Sequence, residues 1–358
     1  MPGPDLLTAA RAGDQDAFAQ LVAPLERELH QHAYRILGSL DDADDALQDA
    51  LLRAWRGIGT YEGRASLRAW LHRVTANASL DLAKKRPARV LPTGDDGMPD
   101  EIAWLDPYPA GAGPRDVDEE IDAPHTRYAR RETLELAFVA ALQHLPEQQR
   151  AVLVLREVLH FSAKETAEVL DTSVAAVNSA LQRARAGIEA RRPAISQTQA
   201  LAQLGDEATA DLVRRYAAAL ESGDVEEVIA LLGGSMRWSM PPNLEVYEGE
   251  PATREFLLSG PLMFEWRHVP VWSNGQAAVG CYIREALSDD PFRFWVLDVL
   301  RIEDGRVVEV TAFINRSLAA AYGLPDALPA DAPPTSRDGL APAPPRRPGR
   351  PVPWQDAG

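Results

Sequence analysis

Asp41, Asp45 and Asp49 recur at i, i+4 and i+8 of the stretch DDADDALQDALLRAW and so share one face of a helix. Gln48 and Leu52 border that face and Trp55 closes the stretch. Acid in a first turn is what a helix dipole favours, so on its own this is an ordinary solvated face. Carboxylates mixed with an amide and bulky apolar groups also suit a docking surface for a basic partner helix. A second set lies in YEGRASLRAWLHRVTANASLDLAKKR (Tyr61–Arg86). Arg73, Asn77, Asp81 and Lys84 share a helix face there, with His72, Lys85 and Arg86 nearby. Amides, Arg and Lys contact phosphates and base edges, and exposed aromatics such as Trp70 stack on unpaired bases. The loop before it, GIGTYEGR, offers glycine flexibility with Tyr61 and Arg64, a geometry that can hold a base taken out of the stack. In the alternative, Trp70 is core and the cations complement a helix C-terminus. A third set, Ala175, Ala176, Asn178, Ser179, Gln182 and Arg183 with Arg185 beside it, forms the polar face of a later helix. Small residues at its start allow close approach to a major groove. The chemistry of all three sets is recognition rather than bond-making.

Local signals place these sets on helices. Phe18–Leu37 is periodic, Pro24 splits or kinks it, Gly38-Ser39 stops it, and Asp41/Asp42 are expected to cap the next helix. Ser66 can cap a helix whose buried stripe is Leu67, Leu71, Val74, Ala78 and Leu82. In LPEQQRAVLVLREVLHFSAKETAEVLDTSVAAVNSALQRARAGI, Pro146 suits a helix start and Ser162–Glu165 is a capping box. Asp171-Thr172-Ser173 breaks that helix and caps the last one. Its seam is Val174, Val177, Leu181, Ala184 and Ile188. A short turn with capping on both sides predicts a helix-turn-helix.

The chain organises as residues 5–86 helical, 87–127 a flexible acidic linker, 128–192 helical, a short second linker, 206–322 mixed, and 325–358 a disordered tail holding 10 of the 28 prolines. In 206–322 a helix pair, Glu207–Leu220 and Val225–Leu232, precedes strand-like runs at Met236–Met240, Trp266–Trp272, Ala277–Ala286, Phe292–Ile302 and Val307–Ile314. Asn274-Gly275 and Asp304-Gly305 between runs are strong hairpin signals. The expectation is an α+β module built on a long antiparallel meander.

The 358 residues suggest two or three domains, and 46% apolar content is ample for cores. A formal charge of −16 argues against nucleic acid until it is localised. Residues 18–86 carry 10 basic against 9 acidic groups and residues 131–192 carry 8 against 8. Residues 87–130 carry 4 against 10, and residues 205–322 carry 10 against 19. The excess acid therefore sits in the linker and the C-terminal module, not in the candidate DNA-contacting pieces. A single cysteine, Cys281, allows no intrachain disulfide and fits a reducing cytoplasm. No long apolar run or leader is read, so a soluble cytoplasmic chain away from membranes is expected. No metal or cofactor motif is read.

In this order, the parts resemble an RNA polymerase sigma factor of the extracytoplasmic-function group. The stretch from Phe18 to Arg86 resembles sigma region 2, and Leu145–Ile188 resembles region 4. The resemblance implies two all-α sigma domains. It implies that Asp44, Asp45, Leu47, Gln48, Asp49 and Leu52 bind the clamp helices of core polymerase. Tyr61, Glu62, Arg64, Arg73, Asn77, Lys84, Lys85 and Arg86 would melt and read the −10 element. Ser173, Ala176, Asn178, Ser179, Gln182, Arg183 and Arg185 would read the −35 element. Core polymerase and promoter DNA are the implied partners, with an anti-sigma protein as a further candidate.

Residues 206–322 resemble a SnoaL-like, ketosteroid-isomerase-type cone, helices on a curved antiparallel sheet around a small-molecule pocket. RWSMPPNLEVYEGEPATREFL carries that likeness. Trp238, Met240, Trp266, His268, Tyr282, Trp295 and Asp298 are its candidate lining, with core packing the alternative for the tryptophans. Asp298, in the apolar run FWVLDVL, is the best functional acid, because a buried unpaired carboxylate is costly. No second acid/base group is read with conviction. The whole is expected to be a non-enzymatic sigma factor with a fused regulatory or ligand-binding domain. The alternatives are a helix-turn-helix regulator with a ligand-sensing domain, which has no use for the acidic docking helix, and a SnoaL-like enzyme with a DNA-binding front half.

Overall fold

The computed structural model describes residues 4–63, 66–92, 102–109, 132–191, 193–284 and 289–335. Five helices come first: α1 (Pro4–Arg11), α2 (Gln15–Val22), α3 (Glu26–Leu37), α4 (Leu40–Gly57) and α5 (Leu67–Ala83). Pro24 separates α2 from α3. Gly38 ends α3 in the left-handed region at φ 69°, and a Cβ there would come within 2.8 Å of Leu105. The expected caps Asp41/Asp42 are displaced by Ser39, whose hydroxyl accepts from the Asp42 amide. The helix thus starts two residues earlier, and Asp42 turns inward to pair with Arg86 and Arg89.

The described parts of the linker are not loose. Strands β1 (Arg89–Val90) and β2 (Ala103–Trp104) pair in parallel, and Leu105 and Tyr108 are buried. Most of the remaining linker lies outside the described residues. Helices α6 (Leu136–Gln143), α7 (Glu147–Leu153), α8 (Ala163–Val169) and α9 (Val174–Glu189) follow. The Ser162/Glu165 capping box forms, and Ser173 caps α9. Where a second linker was expected, α10 (Gln197–Leu204) forms instead. Its first amides are satisfied from a distance: the buried Glu135 carboxylate accepts from Gln197 N at 3.0 Å and Thr198 N at 2.7 Å.

The C-terminal module holds α11 (Asp206–Ser222), α12 (Val225–Leu231), β3 (Leu232–Ser239), β4 (Val246–Glu248), α13 (Gly249–Ser259), β5 (Glu265–Ser273), β6 (Gln276–Arg284), β7 (Phe292–Glu303), β8 (Arg306–Phe313), α14 (Leu318–Ala321) and β9 (Ala327–Leu328). The sheet order is β4-β3-β8-β7-β6-β5, with β9 added to β7. Both hairpins turn where expected, with positive φ at Asn274-Gly275 and at Asp304-Gly305. The sheet departs from the all-antiparallel expectation at one pair. Strand β3 runs parallel to β8, since it is reached from helix α12 and no hairpin dictates its direction.

Both faces of this sheet are buried. Along β6, Ala277, Val279 and Cys281 pack with α11, α12 and α13 on the concave face. Ala278 and Tyr282 point the other way, into a core shared with Tyr34 and Leu37 of α3, Leu105 and Tyr108 of the linker, and Val139 of α6. Burial on both sides explains why the run QAAVGCYI does not alternate apolar and polar residues. The tail, expected to be disordered, begins as an ordered strap over residues 325–335. Its carbonyls at Ala330 and Ala332 accept from Arg284 and Arg267, and Thr335 donates from N and Oγ1 to Glu221.

Candidate polymerase, nucleic-acid and ligand sites

Helix α4 presents Asp41, Asp45, Gln48 and Asp49 to solvent, with Leu52 half-buried. Asp44 lies 3.1 Å from His30 Nε2. Leu47 points the other way and is buried in the helical core, so it supports the face from beneath. Asp49 pairs with Arg53 at 2.5 Å, and Arg53 reaches on to Asp81 of α5 at 3.0 Å.

On α5 Arg73 is exposed and Asn77 half-buried, and just past its end Lys84, Lys85 and Arg86 are exposed. Tyr61 is buried, its ring centroid 5.2 Å from that of half-buried Trp70. The two aromatics thus brace the loop rather than project from it. Glu62 is exposed, and Arg64 lies outside the described residues. Arg53, Arg73, Asn77, Asp81 and Lys84 form one wall of a groove of about 720 Å³. Glu147, Glu168 and Asp171, from the helix-turn-helix, form the facing wall. The two helical units also touch through their cores. Arg150 of α7 is buried, donates to the Ile36 carbonyl at the end of α3, and binds Gln143 Oε1 at 2.7 Å. Burial holds its guanidinium at about 10, below the usual arginine range.

Helix α9 leaves Ser173, Ala176, Asn178, Ser179, Gln182, Arg183 and Arg185 exposed. Val177, Leu181, Ala184 and Ile188 are buried, but Val174 is 44% exposed, so the expected seam is one turn shorter. Arg183 donates to Ser179 at 2.7 Å and Arg185 pairs with Glu157 at 2.6 Å.

In the cone, Trp238, Met240, Trp266, His268, Trp295 and Asp298 line one cavity of about 170 Å³. Tyr282 does not. It follows Cys281 on β6, faces the opposite side, and donates to the Pro325 carbonyl at 2.9 Å. Asp298 is buried and accepts from Tyr216 Oη at 2.9 Å. Burial pushes its carboxyl up to about 6. His268 Nδ1 sits 3.2 Å from Glu221 Oε1. Burial alone would raise the Glu221 pKa, but hydrogen bonds from His268 and Thr335 hold it below the ordinary value.

Family profiles match three segments: Sigma-70 region 2 over residues 21–88, Sigma-70 region 4 over residues 135–187, and the SnoaL-like domain over residues 213–310. The chain is 38% identical over 332 residues to the ECF RNA polymerase sigma factor SigG of Mycobacterium tuberculosis, covering 89% of this chain and 86% of that protein. This chain is an ECF RNA polymerase sigma factor. SigM of the same organism matches the front half, 38% identical over 182 residues, 51% of this chain and 80% of SigM. The crystal structure of Mycobacterium tuberculosis SigJ shares the fold at TM-score 0.56 and 23% identity, covering 85% of this chain and all of that one.

In this sigma factor, α1–α5 contain region 2, α6–α9 contain region 4, and the SnoaL-like cone follows. Like its family, it works with core RNA polymerase on promoter DNA. Among the described residues, no helix is long and apolar enough to cross a membrane. Sequence reasoning missed Tyr216 and Glu221, because a polar residue on an amphipathic helix carries no sign of a strand partner. It also read Asn274 as a turn residue alone. The side chain of Asn274 accepts from Tyr108 N at 2.7 Å and donates to Tyr34 Oη at 3.1 Å and to the Leu134 carbonyl at 2.7 Å. One cone residue thus binds region 2, the linker and the start of region 4.

Proposed function

We propose that the exposed face of α4 docks on core polymerase, that α5 and its preceding loop handle the −10 strand, and that α9 reads the −35 element. The cone acts in cis, holding regions 2 and 4 in a closed resting arrangement. The observation that carries this reading is the groove in which Arg73, Asn77 and Lys84 face Glu147, Glu168 and Asp171. Phosphates of a melted strand need the same cations that the acidic wall now faces. Two DNA elements read by two domains also require those domains to part. Region 4 therefore moves away before region 2 engages the −10 strand, and the Asn274 contacts oppose that movement. The chain's own work is recognition rather than turnover.

Two measurements test the reading. Asp45→Arg/Asp49→Arg should reduce co-purification with core polymerase by at least about tenfold, since like charges replace attraction at the docking face. The wild type failing to associate with core at all would sink the assignment of α4. Truncation after Pro193 should change promoter output in a reconstituted transcription assay while leaving core binding intact. Unchanged output would remove the cone from regulation.

A further inference from the structure

Tyr108 spans the distance between the cone and the docking face of α4. Its backbone is held by the cone hairpin. The N–H donates to Asn274 Oδ1 at 2.7 Å, and the carbonyl accepts from Asn274 N at 2.8 Å. Its ring is buried against Tyr34, with centroids 4.6 Å apart. Its hydroxyl ends at α3, 2.7 Å from His30 Nδ1. The other ring nitrogen of His30, Nε2, lies 3.1 Å from Asp44 Oδ1 on α4. One linker residue therefore joins the hairpin tip of the cone to a carboxylate of the docking face, with a single imidazole between.

The chemistry gives this chain a direction. An ionised carboxylate can only accept, so His30 Nε2 carries the hydrogen that faces Asp44. In a neutral imidazole Nδ1 is then the acceptor, and the Tyr108 hydroxyl donates to it. The hydroxyl thereby holds the ring with Nε2–H aimed at Asp44. The side chain of Asp44 is half-exposed, within reach of a partner's cation, but its Oδ1 is already engaged by His30. His30 has a second acid nearby. Glu26, one turn earlier on α3, feels the charges of both His30 and Asp44. Without the Tyr108 hydroxyl the imidazole can turn toward Glu26, and Asp44 is released.

We propose that His30 is a positioning residue of the polymerase-docking face. While the cone holds Tyr108 in place, His30 keeps Asp44 against α3, and withdrawal of the cone makes Asp44 available to core polymerase. By reciprocity, polymerase bound at Asp44 loosens the cone. The proposal rests on the reading of α4 as the docking face and of the cone as a cis regulator, and it names the residues that connect them.

The test is a double-mutant cycle on the full chain, read as its equilibrium affinity for core polymerase. Asp44 and Tyr108 sit on opposite nitrogens of His30, so coupling between them runs through that ring. Tyr108→Phe keeps the ring and removes only the hydroxyl. It should tighten core binding about fivefold, the worth of one hydrogen bond. Asp44→Ala should weaken core binding about threefold, within the range of an exposed ion pair. In the Asp44→Ala background, Tyr108→Phe should change affinity by less than about 1.5-fold. In His30→Phe, adding Tyr108→Phe should likewise bring no further gain. A hydroxyl that served only the stability of the cone would give the same gain with and without Asp44. That additive result overturns the proposal, as does unchanged affinity in Tyr108→Phe. The docking reading fails separately: Asp45→Arg/Asp49→Arg binding core like the wild type removes α4 from the interface. Weakened binding there, with no coupling between Asp44 and Tyr108, leaves α4 in place and removes only the role of His30.

Discussion

Asn274→Ala should open the molecule, weakening the closed arrangement by about 3–5 kcal/mol. The side chain is buried, and besides accepting from its neighbour Ser273 Oγ it makes three hydrogen bonds to three different parts of the chain. Alanine leaves the Tyr108 N–H and the Leu134 carbonyl without those partners in a buried contact, at about 1–3 kcal/mol each. It also places a side chain with no local hydrogen-bonding capacity at φ 53°, where asparagine is tolerated. A shift of about 4 kcal/mol changes the closed-to-open ratio by nearly a thousandfold. The expected readouts are a larger radius of gyration in solution scattering and tighter binding of a single-stranded −10 oligonucleotide without polymerase. Asn274→Gly separates the two causes, because glycine keeps the turn and loses only the side chain. Both variants scattering like the wild type would mean that the hairpin tip does not hold the domains together.

That clamp shows where the sequence was legible and where it was not. The Asn274-Gly275 turn follows from local chemistry, as do the Ser162/Glu165 box and the Ser173 cap on α9, because each signal is complete within a few residues. The destination of the Asn274 side chain depends on residues Tyr34, Tyr108 and Leu134, which are far away in sequence. Helix α13 went unread because its start, GEP, looks like a turn, although Pro251 is at home in a first helical turn. Strap residues 325–335 carry no periodicity, and much of their anchoring comes from backbone carbonyls bound to Arg267 and Arg284, a pattern that side-chain chemistry does not encode. Leu105 and Tyr108 are apolar residues in a Pro- and acid-rich linker, too few to form a pattern. In the cone, Asp298 and His268 stood out as polar residues in apolar strands. Their partners Tyr216 and Glu221 sit on a helix where polarity is ordinary.

The second large effect has the opposite sign from most core substitutions: Asp298→Asn should stabilise the cone at neutral and higher pH. Burial lifts the Asp298 carboxyl to about 6, against 3.8 for an ordinary aspartate. Between those values the folded chain keeps a proton that the unfolded chain has released. Stability therefore falls as pH rises through that window, and the loss is complete above it. The full penalty is on the order of 3 kcal/mol, a net figure in which the Tyr216 hydrogen bond is already included. Asparagine is close in shape and carries no charge, but adds an N–H needing an acceptor, at a cost of about 1 kcal/mol. The variant should thus gain about 2 kcal/mol at pH 8 and close to nothing near pH 4.5, where only about 1 kcal/mol of the wild-type penalty has set in. Comparing the unfolding of variant and wild type at both pH values cancels the other titrating groups. Glu221 is one of them, since its pKa is held low and its contribution fades as pH falls. A difference that is flat with pH would show that Asp298 is solvated.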